Sequence, residues 1–400
     1  MARRLLCAIA AASLILAGCG SKSKGGGTTS SAPVKFMMIT TITGPGLSFP
    51  QLYAGAKAAA ARINAKGGLS GHKIEIETCD DEFNPNKATN CGRKAVQDKV
   101  AAVLGLFSIT AGAQVVKVLQ AGNIPSIGGI MLNPAEALSP ISYPYDCGAI
   151  CGGPGPAFGL VSQGCQRIGS VLDQSNPAVN LLQAEIQAVT EGKGRTYVGN
   201  VGEPTNAADP DPIVKAIVAK NPDCVDFVGG QADAVKFFKA LNRSNPNIRF
   251  GSAYATMIPQ LLPSLGTALN SQLVSVHTMI PPAAATAPPD SLKQFAADMA
   301  AYDPKAAIDA FSEQGWFAMH LVELIAGSGM STLDNTTLLA KLKTVHGLDL
   351  GITPPISFDQ NGPVAKYPHL FNTTVIRLKV ANNQYQVADP QFLDVSPYIK

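Results

Sequence analysis

From Val34 onward the hydrophobic positions fall into two alternating patterns. Short apolar runs such as "VKFMMITT" and "VAAVLGLF" read as buried strands. Between them, "YAGAKAAAARINAKGG" and "TAGAQVVKVLQAG" read as helices closed by glycine. "HKIEIET" alternates, with Ile74 and Ile76 on one face, and "IPSIGG" predicts a fourth strand. "NPNKATNCGRKAVQDK" predicts a helix opened by Asn84 and Pro85. Strands spaced by helices imply a parallel sheet covered on both faces.

A second series follows, with "IGSVLD", "TYVGNV", "CVDFVGG", "IRFGSAY" and "QLVSVHTM" as strands. "FGLVSQGCQR", "AVNLLQAEIQAVTEG", "DPIVKAIVAKNP" and "ADAVKFFKALNRSNP" are the helices between. Residues 143–156, "YPYDCGAICGGPGP", read as a crossover between lobes. Two long helices come after "IPPAAATAPPD". The tail segments "LGITPPISFDQNGPV" and "NTTVIRLKVANNQYQV" read as extended strands or a hairpin. The expected fold is α/β, with two Rossmann-like lobes joined by a multi-crossing hinge and a ligand cleft between them. One lobe takes residues 34–153 plus 283–367, the other 154–282 plus 368–400.

The first residues change the picture. "MARR" is a positive start, and Leu5 to Ala17 is apolar but shorter than the roughly 20 residues a membrane span needs. The run ends in Leu16-Ala17-Gly18-Cys19, similar to the lipobox at which bacterial lipoproteins are cut and lipidated. Residues 1–18 are therefore read as a signal peptide and Cys19 as the lipidated residue. Residues 19–33 complete a flexible tether. The plainer alternative is a secretory leader in which Cys19 is incidental. Two or more acyl chains anchor stably where one chain does not.

Export bears on the cysteines. Beyond Cys7 and Cys19 there are six, an even number suited to disulfides in an oxidising compartment. Six allow fifteen pairings, among which spacing does not choose; the expected set is Cys79–Cys91, Cys147–Cys151 and Cys165–Cys224. No CxxC pair or histidine spacing suits a metal, and no cofactor is expected. With 46% hydrophobic residues, the 400-residue chain has ample core. A net charge of +3 excludes the basic footprint of a nucleic-acid binder.

Residues 43–108, from "TGPGLSFPQLYAGAK" through "INAKGGLSGHKIEIETCDDEFNPNKATNC" to "AAVLGLFS", resemble the type I periplasmic-binding-protein family. Within it they resemble the branched-chain amino-acid (Leu/Ile/Val) binding lipoproteins of ABC importers. "NPDCVDFVGG" and "ISFDQNGPV" extend the resemblance across roughly residues 34–400, more loosely in the second lobe. It implies a monomeric, non-enzymatic protein, lipid-anchored through Cys19 and facing the extracytoplasmic space. There it would capture a small molecule (amino acid, amide or carboxylate) and deliver it to an ABC transporter permease. A ligand-sensing receptor component with a signalling partner is the alternative. An exported enzyme would need a nucleophile, base and orienting group; no nucleophile elbow, Walker loop or HExxH is present.

In open α/β sheets ligands gather beyond the strand carboxyl ends. The loops there are 43–50, 107–112 and 128–133 in the first lobe, and 173–178, 229–233 and 253–257 in the second. The resemblance puts a carboxylate-binding serine at Ser108, and a helix cap is its plainer role. Thr110 shares its loop. Ser48 and Phe49, with Tyr53, stand at the first loop, and Gly129 and Met131 offer backbone groups. Gln231 and Tyr254 are the second-lobe candidates. Asp80 and Asp81, adjacent at a strand end, read as turn acids rather than an acid–base dyad. Trp316, Met319, His320 and Glu323 share one helical face and read as core.

The departures from the family pattern are specific. Amino-acid binders of the family hold the ammonium with a tyrosine in the first second-lobe loop and an acid in the last. Here "DQSNPA" has no tyrosine and "AYATM" no acid, leaving Asp173 or Asp233 as substitutes. A buried ammonium without a carboxylate is costly.

Overall fold

The alternating pattern folds into two parallel-rich sheets. The computed structural model describes residues 32–400, apart from 45–47, 176–177, 205, 267–271, 286 and 328. The signal peptide, Cys19 and the tether up to residue 31 lie outside the described residues.

The first sheet has the order β2-β1-β3-β4-β5, all parallel. Its strands are β1 (Val34–Thr40), β2 (Ile74–Asp80), β3 (Ala102–Phe107), β4 (Ser126–Ile127) and β5 (Ser142–Tyr143). The two-residue alternation of a strand divides β1 between two cores. Phe36 and Met38 join the core formed with α1 (Pro50–Ala65). Met37 and Ile39 join the one formed with α2 (Pro85–Gln97) and α3 (Gly112–Ala121). As the sequence indicates, Asn84 caps α2, accepting from the Asn86 and Lys87 N–H groups, with Pro85 at its first turn.

After α4 (Pro134–Leu138) and β5, the chain crosses to the second sheet. Its order is β12-β11-β10-β9-β8-β6-β7. The strands β6 (Arg167–Asp173), β7 (Thr196–Glu203), β8 (Cys224–Val228), β9 (Arg249–Ala253) and β10 (Leu273–His277) run parallel. The helices between them are α5 (Pro154–Ser162), α6 (Val179–Gly192), α7 (Asp211–Val218), α8 (Gln231–Ser244) and α9 (Leu262–Leu265). The chain then returns to the first lobe for α10 (Asp290–Tyr302), α11 (Ala310–Ala326) and α12 (Asn335–Leu342), whose apolar faces share a core with α1. A last crossing leads to the antiparallel pair β11 (Thr374–Ala381) and β12 (Gln384–Asp394).

Two glycines fix how α11 lies on α1. A Cβ on Gly55 would stand 1.9 Å from the Ser312 carbonyl oxygen, and one on Gly315 would stand 1.8 Å from that of Leu52. Only glycine lets the two helices approach this closely. The predicted aromatic face of α11 is core, with Trp316 and Met319 fully buried. Its polar members close an ion network: Arg62 reaches Asp298 at 2.7 Å and Glu323 through both terminal nitrogens. Among the described residues no helix is long and apolar enough to cross a membrane.

The three disulfides are Cys79–Cys91, joining β2 to α2, Cys147–Cys151 within the crossover, and Cys165–Cys224, joining the α5–β6 turn to β8. The sequence reading differs from the fold in the tail. Residues 350–364 form no strand, only an isolated bridge between Leu348 and Ile356. Pro354 and Pro355 supply no N–H to a ladder there. β5 lies where the crossover was expected to begin, because its two residues are too short a run to show a period.

Candidate ligand-binding cleft

The strand carboxyl ends of both sheets face a cavity of about 660 Å³ between the lobes. On the first-lobe side stand Ser48, Phe49, Phe107, Ile130 and Leu132. On the second-lobe side stand Phe227, Gln231 and Tyr254. The floor comes from the segments where the chain passes between lobes and from the start of α11, with Asp146, His277, Asp309 and Gln314.

The first-lobe wall is aromatic. Phe49 packs edge-on to Phe107 at 4.9 Å between ring centroids, and Phe311 completes the trio at 4.9 and 5.7 Å. Such contacts hold the rings as a fixed apolar surface. Opposite them, Tyr254 lies 4.7 Å from the His277 ring. Burial pulls the His277 pKa down to about 3, so the ring is neutral at pH 7. Its Nδ1 accepts from the Thr278 N–H at 2.8 Å.

The floor is acidic. Asp309 caps α11, one carboxylate oxygen accepting from the Phe311 and Ser312 N–H groups at 3.0 and 2.9 Å. Asp146 accepts from the Gly148 N–H at 2.6 Å. Behind them Glu313 is fully buried, and neither carboxyl oxygen has a hydrogen-bond partner. Burial pushes its carboxyl well above the usual range, and Asp146 and Asp309 push it further. Asp146 and Asp309 are raised too, chiefly by burial, against the N–H groups they accept from and the hydroxyls of Thr278 at Asp146 and Ser312 at Asp309. The neighbouring Gln314 donates its Nε2 to the Gly128 carbonyl at 2.9 Å, while its Oε1 is buried without a partner. No Lys or Arg is among the described residues lining the cleft.

Of the candidates read from the sequence, Ser48, Phe49, Gln231 and Tyr254 line the cavity; Ser108, Thr110, Gly129 and Met131 do not. Ser108 is 2% exposed and donates to the Asp81 carboxylate at 2.8 Å. It is no cap either, since α3 begins at Gly112, behind Ala111. Thr110 keeps its hydroxyl buried away from the cavity. Gly129 lies against the Leu106 backbone, and Met131 packs with Cys147 and Cys151. Tyr53 points to α1's own Lys57 and the Ile76 carbonyl. Asp173 and Asp233 are also spent elsewhere: Asp173 accepts from Ser175, and Asp233 from the Asn206 N–H and Lys236.

Asp146, His277, Asp309 and Gln314 were missed by the sequence reading. Asp309 had a visible signal, since Asp309-Ala310-Phe311-Ser312 before an apolar run is a helix-start pattern and helix starts face clefts. Asp146 sat inside "YPYDCGAIC", where the turn residues drew the eye.

Two α/β lobes facing each other across a lined cavity make a bilobal ligand-binding architecture. The family model described as "Periplasmic binding protein" matches residues 33–369, and the chain belongs to that family. The Leu/Ile/Val-binding protein of Escherichia coli is 36% identical over 73 residues, which is 18% of this chain and 20% of that protein. Among solved structures, a solute-binding protein of an ABC transporter from R. palustris in complex with 4-hydroxybenzoate superposes with TM-score 0.73 at 16% identity. It covers 91% of this chain and 97% of its own. The isoleucine complex of a branched-chain amino acid transporter substrate-binding protein from Streptococcus pneumoniae gives TM-score 0.71 at 16% identity, covering 90% and 100%. These likenesses establish the fold.

Proposed function

We propose that the chain is a lipid-anchored extracytoplasmic solute-binding protein. It captures one small molecule between its lobes and presents the closed form to an ABC permease. The observation that carries this reading is the cavity of about 660 Å³ lined from both lobes, with aromatic walls and inward polar groups. Such a site is built to enclose a ligand of modest size. The lobes act as residues 34–153 plus 283–367 and 154–282 plus 368–400, and the crossings between them provide the hinge. Ligand binding shifts the population toward the closed form, which the permease distinguishes from the open one. The protein works as a monomer, does no chemistry on its ligand, and is held to the membrane by lipid on Cys19.

The test is thermal unfolding of the full-length chain in mild detergent against amino acids, amides, amines and carboxylates. A true ligand at 100 times its dissociation constant adds roughly 2.7 kcal/mol. Small-angle scattering of the same sample reports lobe closure. A ligand that raises the melting temperature and compacts the particle supports the reading; stabilisation without compaction overturns the capture mechanism.

A further inference from the structure

The polar groups of the cleft floor define a charge preference that the fold alone does not. Asp146 and Asp309 line the floor, and Glu313 stands behind them. No lysine or arginine among the described lining residues balances these acids. Both backbone cap bonds of Asp309 fall on Oδ1. Beside it, Gln314 is fully buried, lines the cleft, and carries an unpartnered Oε1. A buried acceptor without a donor costs about 1–3 kcal/mol, which a donor entering with the ligand recovers. Among the described residues the one group with metal-sharing spacing is Cys165, Asp223 and Cys224, and its cysteines are joined in a disulfide.

We infer that the cleft takes a ligand with a protonated amine on an apolar or aromatic body, the nitrogen seated on Asp309, Asp146 and Gln314 and the body against Phe49, Phe107 and Phe311. This rests on the solute-binding reading and narrows its ligand class. The aromatic trio supplies the apolar surface, and the electron-rich ring faces favour a nearby cation. An anionic ligand meets the opposite situation: uncompensated acids on the floor and no cation to pair with.

The experiment is calorimetric titration of the full-length chain in detergent with three probes of similar shape: 2-phenylethylamine, 2-phenylethanol and phenylacetate. The amine is expected to bind at least about tenfold tighter than the alcohol, and phenylacetate weakest. Asp309→Asn keeps an acceptor for the helix cap but removes the charge. It should weaken the amine about tenfold or more and the alcohol by much less. Asp146→Asn is the second variant should the first fail to fold, and the unliganded melting temperature checks both. Phenylacetate binding tighter than the amine overturns the inference, as does amine affinity unmoved by either substitution. In the first case, lobe closure around the anion would leave the solute-binding reading standing. Failure of all three probes to bind overturns the amine preference, while the broader ligand panel still decides the capture reading.

Discussion

Two acidic clusters of the first lobe carry opposite hydrogen-bond accounts. At the carboxyl end of β2, Asp80 accepts from the Ile42, Thr43 and Glu82 N–H groups and from the Thr43 hydroxyl. Asp81 accepts from the hydroxyls of Thr41 and Ser108 and the N–H of Phe83. Burial alone would raise Asp80, yet its hydrogen bonds, led by Thr43, hold it below the ordinary carboxylate range. At the start of α11, Glu313 has no partner and is pushed upward. The first cluster is finished within the fold, and the second is not. Finished acids are structural: Glu82 and Phe83 sit at φ 48° and 56°, the left-handed region that non-glycine residues seldom hold, and the two aspartates bond their N–H groups.

The sharpest way to break this contrast is to remove the hub of the finished cluster. Asp81→Ala leaves three donors without their acceptor, and is expected to cost about 3–5 kcal/mol in urea unfolding. A loss under about 1 kcal/mol would mean that the turn does not depend on the acid.

Ser108→Ala comes next in size. It removes one hydrogen bond to a buried carboxylate, so the expected loss is about 1.5–3 kcal/mol of stability. Affinity for any cleft ligand should stay within about twofold, since Ser108 does not line the cavity. A large loss of affinity with unchanged stability would move Ser108 from the latch to the ligand.

Ser108 also marks where the sequence stopped being legible. Its position after a buried strand was readable, because β3 is an unbroken apolar run and the helix pattern resumes four residues later. Its partner was not, because Asp81 belongs to another strand, 27 residues away in the chain. The lobes, the order of helices and strands, and the cap of α2 follow from local periodicity and local turn chemistry. Phe49, Gln231 and Tyr254 were reachable because each stands at a strand end or helix start, where the fold places clefts. Asp146 and Gln314 meet only through long-range packing: Tyr145 donates to the Gln314 carbonyl across 169 positions, drawing the crossover onto α11. No window of sequence contains that contact.

The smallest effect is the most informative about the second cluster. Glu313→Gln keeps the size of the side chain and removes a carboxyl whose ionisation the site opposes. Replacing an unpaired buried carboxyl should change unliganded stability by no more than about 1 kcal/mol near pH 4, where the group is largely protonated in the folded and unfolded chain alike. The dependence on pH carries the sign. Glu313 has a folded pKa raised above its unfolded value, so its favourable contribution is complete below the ordinary carboxylate range. That contribution is lost as pH rises through the raised folded value. The stability gap between Glu313→Gln and the parent should therefore open with rising pH, in urea unfolding from about pH 4 to 9. A saturating amine ligand should narrow that gap, because a cation near Asp309 and Asp146 lowers the cost of ionising the carboxyl behind them. A gap independent of pH would mean that Glu313 has a compensating partner, and the two acidic clusters would no longer differ in kind.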